Sequence, residues 1–484
     1  MPESLRVRER LLVLVAVLAL PHAIAQAAPP DEGECPAVSG LADGARLDED
    51  AAPVLLREGM ELGVDDLLAL RQLLPDELWR HREVFFHEGM RMEIGPCHRR
   101  YPTPLFFREA TAKFAGQPRI GKDGNLEKYS AGLPFPPKDI EPEGDEAAAR
   151  WAWNLEMRFR GAGPRGSFRI TDLPSRLGTA HTYRGDFFQL LTRYRSDLPE
   201  SDYQVPDSGD KVFAAGGHFD HPFNVRHLAW RQFRPKKAMR RSKEADDTFV
   251  YVPTMRKPRR AASTWLDGLF FPRYSTGGDT GGGGVTFGEG GGGINPTAGL
   301  SIAQSEHNRR GMVGLALRPN AYVWRLRGER DVLAPLNGSR VGYPKNPDRN
   351  FGHSGLSVAS DRWEVRRAIV IEGALKIQPG EYKTLTVYVD YQTQQPLYWI
   401  TRGSKRRLLE VGILVHRFSG DVAGYPTWPD SAPADLFDPV AASFFDAADG
   451  AGGWIRESYD VRSLPATESE RRRMTSVDPL SRGR

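Results

Sequence analysis

The sequence predicts a mainly antiparallel β protein of the α+β class, with a helical and extended segment ahead of the strands. Three observations predict it. Gly 50 and Pro 37 make up 87 of the 484 residues, well above the roughly 12% of an average chain, which favours turns over a helical bundle. From about residue 166 the apolar residues take a period of two. Strands do not alternate with amphipathic helices, which sets aside a Rossmann sheet or an α/β barrel.

Composition narrows the function classes. Forty per cent of the residues are hydrophobic and 26% charged, enough for an ordinary folded core. Lys+Arg 66 against Asp+Glu 62 leave a net charge of +4, so nucleic-acid binding through bulk charge is not expected. No apolar run reaches the roughly 18 residues of a transmembrane helix.

The elements follow in order. Residues 1–27 read as a signal peptide: Arg6, Arg8 and Arg10 precede the apolar run Leu11 to Leu20, and small residues at Ala23, Ala25 and Ala27 offer cleavage near Ala25 or Ala27. This predicts a periplasmic protein, with association to the outer membrane open. Cys35 follows Glu32-Gly33-Glu34, so it is not a lipid-anchored cysteine. Cys35 and Cys97 are expected to form one disulfide, with two unpaired thiols as the alternative.

Residues 28–150 are expected to be an N-terminal tether followed by a helical, Pro-rich wrapping segment. Leu62, Leu67, Leu68, Leu70, Leu73 and Leu74 before Pro75, and Leu78, Trp79, Val84, Phe85 and Phe86 after it, recur at helical spacings over 61–90, and Ala147 to Phe159 suits a short helix. Candidate strands are Ser167–Thr171, Phe187–Tyr194, Val225–Phe233, Thr248–Pro253, Ala321–Arg327, Trp363–Gly373, Lys383–Tyr391, Pro396–Thr401 and Leu408–Phe418. The sheet domain is bounded at 151–420, with a flexible glycine-rich loop at 277–293. Residues 421–484 are expected to be a C-terminal segment ending in a frayed tail.

Catalytic motifs are missing or incomplete. The glycine run ends in Ile294-Asn295, where a phosphate loop needs Gly-Lys-Ser/Thr. Gly352-His353-Ser354-Gly355 puts Leu356 where a nucleophile elbow needs glycine. His218, His221 and His227 cluster near Pro222, which reads as hydrogen-bonding side chains in a turn rather than a metal site. Glu244, Asp246 and Asp247 follow a basic run and read as a solvated loop. Catalytic residues, metal and cofactor are therefore all expected to be none, and the chain is not expected to be an enzyme.

Two basic stretches stand out. Arg234, Lys236, Lys237, Arg240 and Arg241 lie in a run without acids, and Arg256, Lys257, Arg259 and Arg260 follow the strand after it. The first is a candidate face for docking on anionic lipid or a membrane partner. A plain solvated face is the other reading.

Several phrases together resemble one exported family. They are Phe249-Val250-Tyr251-Val252-Pro253 leading to Arg256-Lys257-Pro258-Arg259-Arg260; Ala321-Tyr322-Val323-Trp324-Arg325-Leu326-Arg327-Gly328; Arg362-Trp363-Glu364-Val365-Arg366-Arg367; Val387-Tyr388-Val389-Asp390 with Pro396-Leu397-Tyr398-Trp399; and Leu133-Pro134-Phe135-Pro136 before a Trp-rich helix. In order and spacing the set resembles the domain of unknown function 1329 family, described as similar to outer-membrane lipoprotein-sorting proteins. The resemblance implies a LolA/LolB-type half-barrel: one curved antiparallel sheet wrapped around helices, holding an apolar face for acyl chains or other hydrophobic molecules. It also implies an association with exporters of the resistance-nodulation-division type or with an outer-membrane protein.

On that basis Tyr322, Trp324, Leu326, Ile369, Ile371, Leu385, Val387 and Val389 are the candidate ligand-binding residues, with core packing as the ordinary alternative for each. The expected function is a periplasmic lipid-binding or carrier protein without catalysis. The alternatives are a structural subunit of an envelope export complex and a secreted hydrolase whose acid–base pair is not visible in the linear sequence.

Overall fold

The structure, a computed structural model, describes residues 31–39, 53–173, 179–200, 203–223, 226–253, 256–263, 267–268, 316–337, 352, 355–377, 382–447 and 453–482. The signal-like segment 1–27, the glycine-rich run 277–293 and the His353-Ser354 pair lie outside the described residues.

Thirteen long strands dominate: β1 (Arg165–Leu173), β2 (His181–Leu191), β3 (Lys211–His221), β4 (Ala229–Pro235), β5 (Asp246–Val252), β6 (Lys257–Ser263), β7 (Tyr322–Ala334), β8 (Arg362–Leu375), β9 (Thr384–Asp390), β10 (Pro396–Arg402), β11 (Leu408–Phe418), β12 (Phe437–Asp446) and β13 (Gly453–Arg462). Their spatial order is β6-β5-β4-β3-β2-β1-β13-β12-β11-β10-β9-β8, and β7 pairs β8. Every long-strand pairing is antiparallel. The sheet is thus two meanders, β1 to β6 and β7 to β13, joined where the first strand meets the last. Met92–Ile94 adds a short strand parallel to the start of β8, and Glu61–Leu62 pairs it in turn, making fifteen strands among the described residues.

The sheet is strongly curved. Laid flat, the ten steps from β4 to β7 would span roughly 48 Å at the ordinary strand spacing. Yet the segment 316–321, which extends at most about 20 Å, bonds to both. Arg234 on β4 donates to the Leu317 carbonyl at 3.1 Å, and Trp324 on β7 donates to the Pro319 carbonyl at 2.8 Å. Register shifts at Arg234/Pro235, Leu326/Gly328, Tyr388/Val389 and Val415/His416 help the strands bend. The result is an open sheet curled around its contents.

Helix α1 (Leu105–Lys113) lies in the N-terminal segment, α2 (Ala147–Met157) packs in the concave face, and α3 (Glu468–Thr475) follows the last long strand. After α2 the chain must turn sharply into β1. Gly163 does this at φ 97°, where a Cβ would stand 1.9 Å from the Gln189 carbonyl oxygen.

The strands are two-faced, as their period requires. On β9, Leu385, Val387 and Val389 enter the concave core with α2, whereas Tyr388 enters a second core on the convex side. Residues 56–101 cover that convex face over β8–β12, packing Leu74, Leu78, Phe85 and Met92 against Val365, Tyr398 and Val411. The Cys35–Cys97 disulfide ties down the start of this wrap, across a sequence separation of 62.

Several expectations are corrected. Residues 61–90 are not one helical stretch. They break into turns of 3-10 helix at Val64–Leu68 and Arg71–Leu73 and short helices at Asp76–Arg80 and Arg82–Phe85, interrupted by Pro75. The region 421–484 is not a separate frayed segment: β12 and β13 sit in the middle of the sheet, and α3 packs by Met474 on its outer face. Residues 217–221 are the end of β3 rather than a turn. Asp246 is not in a solvated loop; it opens β5 and is fully buried.

Candidate functional site

The concave interior is the site to which the sequence pointed. Tyr322, Trp324, Ile369, Ile371, Leu385, Val387 and Val389 are all buried in one cluster, and the partly buried Leu326 packs against it. They come from β7, β8 and β9, and the alternation of each strand turns them inward. The same apolar surface continues through Trp399, Ile455, Phe168 and Trp230 to Val250 on β5.

What they face is α2. Trp151, Ala152, Trp153 and Leu155 are buried on this helix. The alanine-rich start favours helix, and the tryptophans supply the volume that fills the bore. Trp153 Nε1 donates to the Gly124 carbonyl at 2.9 Å, and the Trp151 ring lies 5.6 Å from that of Tyr391. Asn154 Oδ1 accepts the Phe135 backbone N–H at 3.0 Å and its Nδ2 donates back to the Phe135 carbonyl at 2.5 Å. The Leu133-Pro134-Phe135-Pro136 phrase is therefore fastened to the helix it precedes.

A void of about 10 Å³ lies beside Trp151, reaching Leu326 and Ile369. That is room for about one water. In this conformation the interior is occupied by the protein's own helix.

One end of α2 is polar. Glu156 is buried, pairs with Arg160 at 3.5 Å, and accepts the Leu317 N–H at 2.6 Å. Arg158 donates through Nε to Gln395 Oε1 at 3.0 Å. Burial, then the neighbouring Arg160, pushes the Arg158 guanidinium well below its ordinary pKa. Burial, then the positive charge of Arg158, lowers the buried His416 imidazole to about 3.

The predicted docking residues separate. Lys237, Arg240 and Arg241 are exposed at the turn after β4, and Lys236 is half-buried. Arg234 does not belong with them. It is 1% exposed and points inward, where its Nη2 pairs with Asp246 at 3.0 Å. Arg318 reaches the other oxygen of the same carboxylate and donates to the Glu244 carbonyl at 2.6 Å.

The histidines separate as well. His218 stands beside Asp186 at 3.8 Å and Asp220 at 3.2 Å, a group that His221 and His227 do not join. The linear reading missed Asp186 because its closeness to His218 is a cross-strand register between β2 and β3. It also missed a groove of about 520 Å³ between α3 and the outer face of β1–β4. The glycine pair Gly216-Gly217 within β3 was the available signal, since such residues mark close approach in a strand.

Comparison with known proteins follows from this architecture. The family profile described as "Protein of unknown function (DUF1329)" matches residues 78–276 and 313–404. An uncharacterized protein of Pseudomonas aeruginosa is 23% identical over 329 residues, covering 67% of this chain; the chain spans about three-fifths (61%) of that relative's length. A domain from Vibrio parahaemolyticus, named provisionally as an outer membrane lipoprotein-sorting protein, is 12% identical with a TM-score of 0.39, covering 70% of this chain and 100% of its own. A DUF1329 family protein from Desulfovibrio piger is 11% identical with a TM-score of 0.38, covering 70% of this chain and 99% of its own.

Proposed function

The chain belongs to the DUF1329 family, and from the geometry of its interior we propose that it is a non-catalytic carrier of a lipid or another apolar molecule, working in the periplasm of the cell envelope. One observation carries this reading. A continuous apolar concave surface runs from β5 to β7, and it is covered by α2 together with Leu126, Phe135, Ile140 and Leu317 from neighbouring segments. A ligand would enter by displacing α2 from Trp324, Ile369, Leu385 and Val387. Each CH₂ of an acyl chain buried there is worth about 0.8 kcal/mol, so a long chain competes with the helix.

The polar end of α2 suits such displacement. Glu156, Arg158 and Arg160 are buried charges whose desolvation opposes the packed state. An exporter of the resistance-nodulation-division type or an outer-membrane protein is the proposed partner in loading or release, with Lys236, Lys237, Arg240 and Arg241 as its docking face.

The filled interior favours a second reading, a structural subunit of an envelope export complex in which α2 is a permanent plug. Native mass spectrometry on detergent-free mature protein, followed by lipid extraction, separates the two. A stoichiometric apolar adduct, lost in Trp324→Asp protein that still folds, is the expected result. A clean apo mass with no uptake of offered fatty acid or phospholipid sinks the carrier reading. Trp151→Ala gives an independent check, since removing the ring enlarges the void beside Leu326 and Ile369. A fluorescent fatty acid should then bind more tightly than to wild type.

A further inference from the structure

Three strands place Phe188, Gly216 and Arg231 side by side on the convex face, in the direct register Phe188↔Gly216↔Arg231. Gly216 has no side chain, and the Arg231 chain lies in the space this leaves. A Cβ at Gly216 would stand 2.9 Å from Arg231 Cδ and 3.0 Å from its Nη1. The guanidinium thereby reaches the Phe188 ring, 4.9 Å from its centroid, while Nη1 donates to the Trp230 carbonyl at 2.8 Å. This arginine is 3% exposed and lines the groove of about 520 Å³ beneath α3.

Helix α3 brings a second guanidinium to the same groove. Met474 is buried against Phe188, Leu190, Ala214 and Phe233, which holds the helix down and leaves Arg473 on the groove wall. Both acids of this helix are already engaged, Glu468 by Arg472 at 2.5 Å. Glu470 accepts the Thr467 N–H at 2.7 Å and hydroxyl at 2.8 Å in a capping box, and stands 3.7 Å from Arg165. Among the described residues no carboxylate forms a salt bridge with Arg473. Three guanidinium groups thus line one groove, Arg165 beside Glu470 and then Arg231 and Arg473, with Asp186 and His218 at its rim. Burial, then the charge of Arg473, lowers the Arg231 pKa to about 10. Like charges held together in a partly desolvated groove are relieved by an anion between them.

We propose that this groove binds the phosphate or carboxylate of a small anionic molecule, gripped between Arg231 and Arg473 with Phe188 as its apolar wall. The site is on the opposite side of the sheet from α2 and does not depend on the carrier reading. The same headgroup chemistry belongs to an anionic amphiphile and to a free phosphate compound.

Calorimetric titration of the full chain with inorganic phosphate and with dihexanoyl phosphatidic acid tests it. Binding of either probe is expected, weakened at least about tenfold by Arg473→Ala and by Gly216→Ala, lowered by added salt, and unchanged by Arg57→Ala, an exposed arginine outside the groove. Arg473 is exposed, so its variant keeps the fold and stays informative if the Gly216 variant does not. Phosphatidic acid binding about tenfold or more tighter than phosphate assigns the site to an amphiphile; equal affinities assign it to the phosphate group alone. Neither probe binding at millimolar concentration, or Arg473→Ala binding as wild type does, overturns the proposal. Trp151→Ala should leave this titration unchanged, so failure here and failure of the carrier reading are distinguishable.

Discussion

Asp246 receives arginines from two distant parts of the chain. Its carboxylate is fully buried between Arg234, 12 residues away, and Arg318, 72 residues away. Removing one partner of a buried ion pair costs about 3–5 kcal/mol, and here two guanidinium groups would be stranded. Asp246→Ala should therefore lower unfolding stability by at least that amount in urea titration. A loss below about 1 kcal/mol would show that the bridge is not a fastening. His416 gives a pH dependence of definite sign. Its folded pKa is depressed to about 3 by burial and by Arg158, so the unfolded chain binds its proton first as the pH falls through the usual 6.5. Its contribution is complete above about pH 6.5 and is lost toward pH 3, roughly 2 kcal/mol by pH 5. Thermal melts at pH 7.5 and pH 5 should show a smaller acid loss in His416→Leu than in wild type.

At the scale of elements, the N-terminal wrap is held by apolar contacts and one cross-link. Cys35 and Cys97 stand 5.2 Å apart at Cα, and closing a loop of this length restrains the unfolded chain by about 4 kcal/mol. Reduction, or Cys35→Ser with Cys97→Ser, should lower stability by about 2–5 kcal/mol and speed proteolysis within residues 53–101. The strands were legible wherever apolar and polar residues alternate, as in Leu385-Thr386-Val387-Tyr388-Val389. They were illegible in β3, where Ala214, Ala215, Gly216 and Gly217 are apolar or small on both faces and two aromatic cores supply the packing. β12 and β13 were hidden for a related reason. They are buried along almost their whole length, including Arg456, Glu457 and Ser458, so their polar residues read as surface. The inward set on β7, β8 and β9 came from the family resemblance, with the period of two placing its members on one face. The burial of Arg234 was not legible, because its partner Asp246 is itself preceded by a basic run. The groove under α3 gathers residues from β1, β2, β3, β4 and α3 itself, a convergence with no trace in local spacing.

For the whole molecule, curvature decides what the interior can do. The segment 316–321 bridges β4 and β7, and α2 packs with Leu126, Phe135 and Ile140 in what the curved sheet encloses. Gly412 shows how tightly the bore is filled: a Cβ there would stand 2.4 Å from two atoms of the Trp399 ring. Gly412→Ala should cost about 1–3 kcal/mol by overpacking, measured as a lowered melting temperature with an unchanged far-ultraviolet spectrum. The joining of β1 to β13 also sets a timetable. During synthesis the first meander can assemble early, yet its inner edge, β1, waits for a neighbour made nearly 300 residues later. Until residue 462 emerges, two half-sheets present unpaired borders to any other nascent chain. The protein is therefore vulnerable until β13 is available, and a released chain truncated at residue 450 should stay bound to holdase chaperones whereas one truncated at residue 470 should not.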